Sequence, residues 1–228
     1  MLCLIAAGTA LHAWRLTLSP EELTTLVRHY GVVPAEFSPT AAITSIFIHA
    51  GWLHLGSNLL PLWILGETVE DRLGHIRFLL LYVMSGLTAT AIATWISPAF
   101  ALPLVGSTGA VAGVAGAYLV MFPKSKVLVL VPTGFELDVD AAEVPAAFCI
   151  LVWFLFVSVT GVDALAGPPV VTLTMWIALS GGLAGAAGGW LLKRRERDRV
   201  SWWSPELPAL LTRRSGDEHP ARRGPDPR

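Results

Sequence analysis

Apolar runs long enough to cross a bilayer constrain this chain more than any other feature. A helix spanning the hydrocarbon core needs roughly 20 mostly apolar residues. Six segments approach that length: residues 1–18, 51–69, 77–97, 107–123, 144–162 and 170–192. Composition agrees, with 54% hydrophobic and only 14% charged residues, against about 25% charged in an average soluble domain. The expected fold is all-α, a polytopic membrane bundle of six transmembrane helices occupying residues 1–200. Residues 201–228, rich in proline and arginine, read as a flexible cytoplasmic tail. The first span is short, with Trp14-Arg15 interrupting it. Either Arg15 snorkels outward or the natural start lies upstream of Met1. Cys3 and Cys149 sit in separate apolar runs, which gives neither a disulfide framework nor a zinc pattern.

Orientation follows from where the basic residues fall, because short cytoplasmic loops carry an excess of Lys and Arg. Arg72, Arg77, Lys124 and Lys126 follow the second and fourth spans, and Lys193, Arg194, Arg195, Arg197 and Arg199 follow the sixth. The alternate loops hold only Arg15 and Arg28. Both termini are therefore expected in the cytoplasm, with the long first loop (residues 19–50) and the starts of the fourth and sixth spans facing outward. The lipid bilayer is the obvious partner. No nucleic-acid partner, metal or cofactor is expected, and oligomeric state is not legible. A channel or carrier is disfavoured, since no intramembrane carboxylate or basic residue lines a path.

Polar residues inside the apolar segments carry whatever chemistry there is, because they are costly in lipid and by default mark a function. His54 and Asn58 are spaced i, i+4 and share one helix face. They fit either an interhelical hydrogen-bonding pair or donors to a developing oxyanion. Gly109 and Gly113 make a Gly-x-x-x-Gly face suited to close helix packing. Gly181, Gly185 and Gly189 repeat that spacing in the last span.

Two longer stretches sharpen the picture. Phe47-Ile48-His49-Ala50-Gly51-Trp52-Leu53-His54-Leu55-Gly56-Ser57-Asn58 resembles the His-x-x-x-x-His-x-x-x-Asn signature of rhomboid intramembrane serine proteases. Val105-Gly106-Ser107-Thr108-Gly109-Ala110-Val111-Ala112-Gly113 resembles that family's nucleophile motif. The resemblance runs from residue 30 to residue 192 in the right order. It implies oxyanion-hole positions at His54 and Asn58, substrate contacts at His49, Gly106 and Ser107, and the nucleophile position at Thr108, where the family has serine. It also implies that the glycine face of the sixth span meets the fourth.

Thr108 departs from the pattern, and so does the sixth span. Thr174-Met175-Trp176-Ile177-Ala178-Leu179-Ser180-Gly181-Gly182 is similar to the family's Trp-x-Ala-His-x-Gly-Gly, with Leu179 at the histidine. No His, Asp, Glu, Lys, Arg, Tyr or Cys lies between Pro168 and Leu192. A hydroxyl nucleophile needs a base within hydrogen-bond reach. The first expectation is thus a catalytically degenerate, pseudoprotease-like member that binds transmembrane segments of client proteins without cutting them. The alternative is an active intramembrane endopeptidase cleaving single-pass proteins through Thr108 or Ser107, with His54 as base. A bacterial plasma membrane is the expected location.

Overall fold

The structure is a computed structural model that describes residues 1–132, 139–160 and 168–193. Its elements are α1 (Leu2–Arg15), α2 (Pro20–Tyr30), α3 (Pro39–Thr44), α4 (Trp52–Leu73), α5 (His75–Ile96), α6 (Thr108–Met121), β1 (Lys126–Pro132), β2 (Val139–Pro145), α7 (Ala146–Thr160) and α8 (Pro168–Leu192). Short 3-10 turns at Pro34–Glu36 and Ser45–Phe47 flank α3. The six expected spans correspond to α1 and α4 to α8. Among the described residues, His75–Ile96 and Val170–Leu192 are long and apolar enough to cross a membrane by length and composition, while Thr108–Met121 and Ala146–Ser158 are apolar but shorter. The expected tail, 201–228, lies outside the described residues.

α6 is the centre of the bundle. Its 14 residues rise about 21 Å, less than the hydrocarbon thickness. Surrounding helices cover the deficit: everything from Thr108 to Ala115, together with Ala117 and Tyr118, is buried. The apolar core gathers on one side of it, where Val111 and Val114 meet Leu62 and Val69 of α4 and Phe78 and Tyr82 of α5.

α6 and α8 run parallel and pack backbone against backbone. A Cβ placed on Gly181 would collide with the backbone of Gly109, one on Gly185 with that of Gly113, and one on Gly189 with Ala117. Only glycine permits this approach, which replaces hydrophobic side chains with van der Waals contact between helix backbones. α5 closes the other flank, where Ala89 and Ser85 fill the space that Cβ atoms on Gly109 and Gly113 would need.

α7 is held differently. Pro61 sits inside α4 and has no N–H to give to the carbonyl four residues back. That carbonyl belongs to Ser57, and the indole Nε1 of Trp153 on α7 donates to it at 2.6 Å. The proline frees an acceptor and the tryptophan occupies it. α4 ends at Gly74, whose φ of 83° is a conformation glycine adopts at little cost, and α5 begins at the next residue.

Several elements were not expected: α2 and α3 within the long first loop, and a strand pair between the fourth and fifth spans. A helix-only bundle overlooks the antiparallel hairpin that pairs Lys126–Pro132 with Val139–Pro145. Its first strand carries Val127 and Val129, partly buried β-branched residues at alternate positions that suit a pleated surface. Exposed Lys126 and Glu143 form an ion pair across it at 2.7 Å. The fifth helix accordingly starts at Ala146, not at 144.

Candidate functional site

The site sits where four pieces of chain converge at the N-terminal end of α6. An isolated bridge ties the first loop to the segment before α6, with Val32 and Leu104 exchanging both backbone hydrogen bonds. Two residues on, Gly106 donates its N–H to the Ser45 carbonyl at 2.9 Å. Gly106 has φ +121°, and an added Cβ would lie 2.6 Å from His54 Nε2. Glycine is required there twice, by the dihedral and by the imidazole. The chain then enters α6 with Ser107 as N-cap and Thr108 as its first residue.

Two histidine–hydroxyl pairs form across this junction. His54, on the first turn of α4, places Nε2 3.4 Å from Thr108 Oγ1, long for a hydrogen bond of this kind. His49, in the turn before α4, places Nε2 3.0 Å from Ser107 Oγ and Nδ1 3.2 Å from the Phe47 carbonyl. A carbonyl only accepts, so Nδ1 carries the proton. In the neutral ring Nε2 is then the acceptor, and the Ser107 hydroxyl donates to it. The two imidazoles stand edge to face with centroids 5.4 Å apart. All four residues are buried, as is Asn58.

Asn58 does not reach Thr108. Its Nδ2 donates to the His54 carbonyl at 2.9 Å, one turn back on the same helix, while its Oδ1 has no partner. In this arrangement Asn58 braces the turn of α4 that carries His54.

In front of Thr108 lies a cavity of about 40 Å³, room for a few waters. Its polar lining comes from Ser45, His54, Thr90, Thr108 and Thr174, and its apolar wall includes Ala89 and Ile177. Ser45, Thr90 and Thr174 were not singled out from sequence. The signal available was a hydroxyl inside an apolar run, which carries the same cost argument as His54 but is common in membrane helices that bond their own backbone. Thr174 does this, donating to the Val170 carbonyl at 3.0 Å.

The candidate residues fall into three groups. His54, Gly106, Thr108 and Gly109 line the cavity. His49 and Ser107 lie directly behind it, buried and bonded to each other. His49, in the turn before α4, is only 2% exposed. Leu179 is elsewhere. It is 45% exposed, on the face of α8 turned away from the Gly181–Gly185 seam. One residue on a helix is a rotation of about 100°, and that is enough to separate Leu179 from Ala178, which is 2% exposed. Toward the cavity α8 presents Thr174 and Ile177. None of these positions bears a titratable group. Among the described residues no group of three or more His, Cys, Asp or Glu is placed to hold a metal ion.

The sequence that builds this site has a match among known families. A family model described as Rhomboid domain covers residues 37–195. The chain belongs to the rhomboid family. It is thereby an integral membrane protein of that family. Similar relatives include Rhomboid protein 1, mitochondrial, of Saccharomyces cerevisiae, 33% identical over 52% of this chain and 37% of that protein. Rhomboid protease GluP of Bacillus subtilis is 40% identical over 34% of this chain and 15% of its own length. Rhomboid-like protein 11, chloroplastic, of Arabidopsis thaliana is 30% identical over 67% of this chain and 52% of its own length. This rhomboid thus spans about half or less of the relatives it matches, and they are named for mitochondria and chloroplasts as well as occurring in a bacterium.

Proposed function

We propose that this rhomboid is a non-cleaving member that binds transmembrane helices of client proteins in the bilayer, with both of its own termini in the cytoplasm. One observation carries the reading: the wall facing the Thr108 hydroxyl from α8 is built from Thr174 and Ile177, with no group able to take a proton. Loss of a hydrolase's nucleophile or base typically costs ~10⁴–10⁶ in kcat. Thr108 also carries a Cβ methyl that restricts χ1 and occupies space beside the hydroxyl that an acyl group would need. The cavity, its hydroxyl lining and the helix seam do not depend on the missing base, so a client helix still has a surface to meet.

The test is proteolysis and crosslinking on one preparation. Purified protein in liposomes with a single-span reporter should give no product above a Thr108→Ala control. A photoreactive residue at Thr90, on the cavity wall, should crosslink to uncut single-span proteins. Cleavage abolished by Thr108→Ala would overturn the reading.

A second reading has its own observation. Ser107 and His49 are 3.0 Å apart, and the Phe47 carbonyl holds His49 in the tautomer a general base requires. That favours a hydrolase using a dyad one residue earlier than the family's. Against it, Ser107 is only 2% exposed and stands behind the cavity wall. Cleavage that survives Thr108→Ala and is lost in Ser107→Ala would select it.

A further inference from the structure

A second, small cavity lies apart from the Thr108 site, at the C-terminal end of α1. His12, Arg15 and Trp14 of that helix form one side. Leu26 of α2 and the Ile48-His49 turn form the other. His12 is 2% exposed; its ring stands edge-on to Trp52 and lies near the His49 backbone, but neither ring nitrogen makes a well-formed hydrogen bond. A neutral imidazole still carries one N–H, so a buried donor lacks a well-formed partner. Arg15 gives one Nη2 hydrogen bond to the Ala50 carbonyl at 2.7 Å, while its buried Nε–H has none. Ion pairs elsewhere in the described residues use the chain amine with Glu70, Arg28 with Glu36, His75 with Glu70 and Lys126 with Glu143. No carboxylate pairs with Arg15 among them. A partly buried guanidinium facing an imidazole donor without a well-formed partner, with no counter-charge, is an unfavourable arrangement unless an acceptor fills it.

We infer that Arg15 and His12 form an anion site that takes one oxygen of a phosphate group at the membrane boundary. The cavity is about 10 Å³, space for a single oxygen-sized atom. A phosphate enters by one oxygen and leaves its remaining atoms outside, as a lipid headgroup anchored in the leaflet must. Guanidinium–phosphate contacts are charge-assisted and among the stronger hydrogen bonds. Trp14, 50% exposed beside the site, marks the level, because interfacial tryptophans sit where headgroups begin. A trapped water would satisfy the donors but leave the positive charge uncompensated. The shared chemistry is a phosphate oxyanion. Its source is either an anionic phospholipid or free phosphate.

Thermal unfolding in a neutral detergent separates the sources. Phosphatidylglycerol added well above saturation should raise the wild-type midpoint by roughly 5 °C, whereas inorganic phosphate at matched ionic strength should not. The rise should vanish in Arg15→Gln, shrink by at least half in His12→Gln, and persist in Arg28→Gln, an exposed arginine on α2. A rise with inorganic phosphate that Arg15→Gln removes keeps the site but assigns it to the free anion. Arg15→Gln also loses the Ala50 bond. If it fails to fold, Arg15→Lys, which keeps the charge and lacks Nε–H, must show a reduced rise. No rise with either ligand, or equal rises in wild type and in both the Arg15 and His12 variants, would overturn the site and leave a buried water there.

Discussion

The α4 wall of the cavity presents His54, with Asn58 bracing its turn and His49 behind, while the α8 wall presents Thr174 and Ile177. Below the cavity the balance reverses. α8 meets α6 through Gly181, Gly185 and Gly189 at backbone contact, whereas α4 meets α6 through ordinary apolar side chains such as Leu62. One neighbour of α6 is tightly constrained in shape and free in chemistry, and the other carries the polar groups. The contrast teaches that shape and chemistry are separable in this fold. Glycine contacts depend on the absence of a side chain and survive any change at a position facing the cavity.

The largest expected effect tests the chemical side of that contrast. Thr108→Ser with Ala178→His should cleave a single-span reporter, because position 178 is buried one turn before Gly181, and Cβ bonds tilt toward a helix's N-terminus. Thr108→Ser with Leu179→His should stay at background, since 179 faces outward. The gap between the two double variants should reach several orders of magnitude, the range lost when a base is removed. Equal activity, or activity only with histidine at 179, would show that α8 is rotated from the placement described.

Next comes the shape side. Gly185→Leu should destabilise by about 3 kcal/mol or more, because even a Cβ collides with the Gly113 backbone, and overpacking a tight core costs at least 1–3 kcal/mol. Gly56→Ala is the control. Nothing lies within 4 Å of a Cβ there, and alanine is the better helix former, so its melting temperature should match or slightly exceed wild type. If both variants melt alike, the seam does not hold the bundle.

A smaller effect belongs to α7. Trp153→Phe removes the donor to the Ser57 carbonyl that Pro61 leaves open. Interhelical hydrogen bonds in membranes are worth roughly 0.6–2 kcal/mol, so a loss of about 1 kcal/mol is expected. In Pro61→Ala the restored N–H gives that carbonyl a second partner, and the cost of Trp153→Phe in that background should fall. Additive costs in the double variant would sever the link between proline and tryptophan.

Much of this organisation was legible because it is periodic or costly. The glycine spacing at 181, 185 and 189 and the polar pair at 54 and 58 stand out in apolar runs, and the structure places each on a helix face as a 3.6-residue period requires. Three features were not legible. The side on which Leu179 lies turns on a single residue of helical phase, which a motif alignment over Ala178 and Gly181-Gly182 does not settle. The burial of His49 depends on residues distant in sequence, His12 and Ser107 among them. The strand pair was hidden because Lys126–Pro132 and Val139–Pro145 lie largely in the interval left between two expected spans, with no Asn-Gly or Asp-Gly signal between them.

The smallest effect is the one that most sharpens the comparison. Leu179→Ala removes three carbon atoms from a side chain 45% exposed. Buried leucine truncations cost 2–5 kcal/mol because a cavity remains. On an outer face lipid chains fill the space, and lipid is as apolar as leucine, so the expected loss is under about 0.5 kcal/mol. Leu62→Ala, at a position with no exposure in contact with the α6 core, should by contrast cost within the full buried range. Thermal unfolding of both variants in the same detergent reads the difference. A Leu179→Ala loss approaching that of Leu62→Ala would mean the side chain is packed, either in the cavity or against a second protein. The face assigned to histidine at 178 would then shift, and the outward side of α8 would need a partner other than lipid.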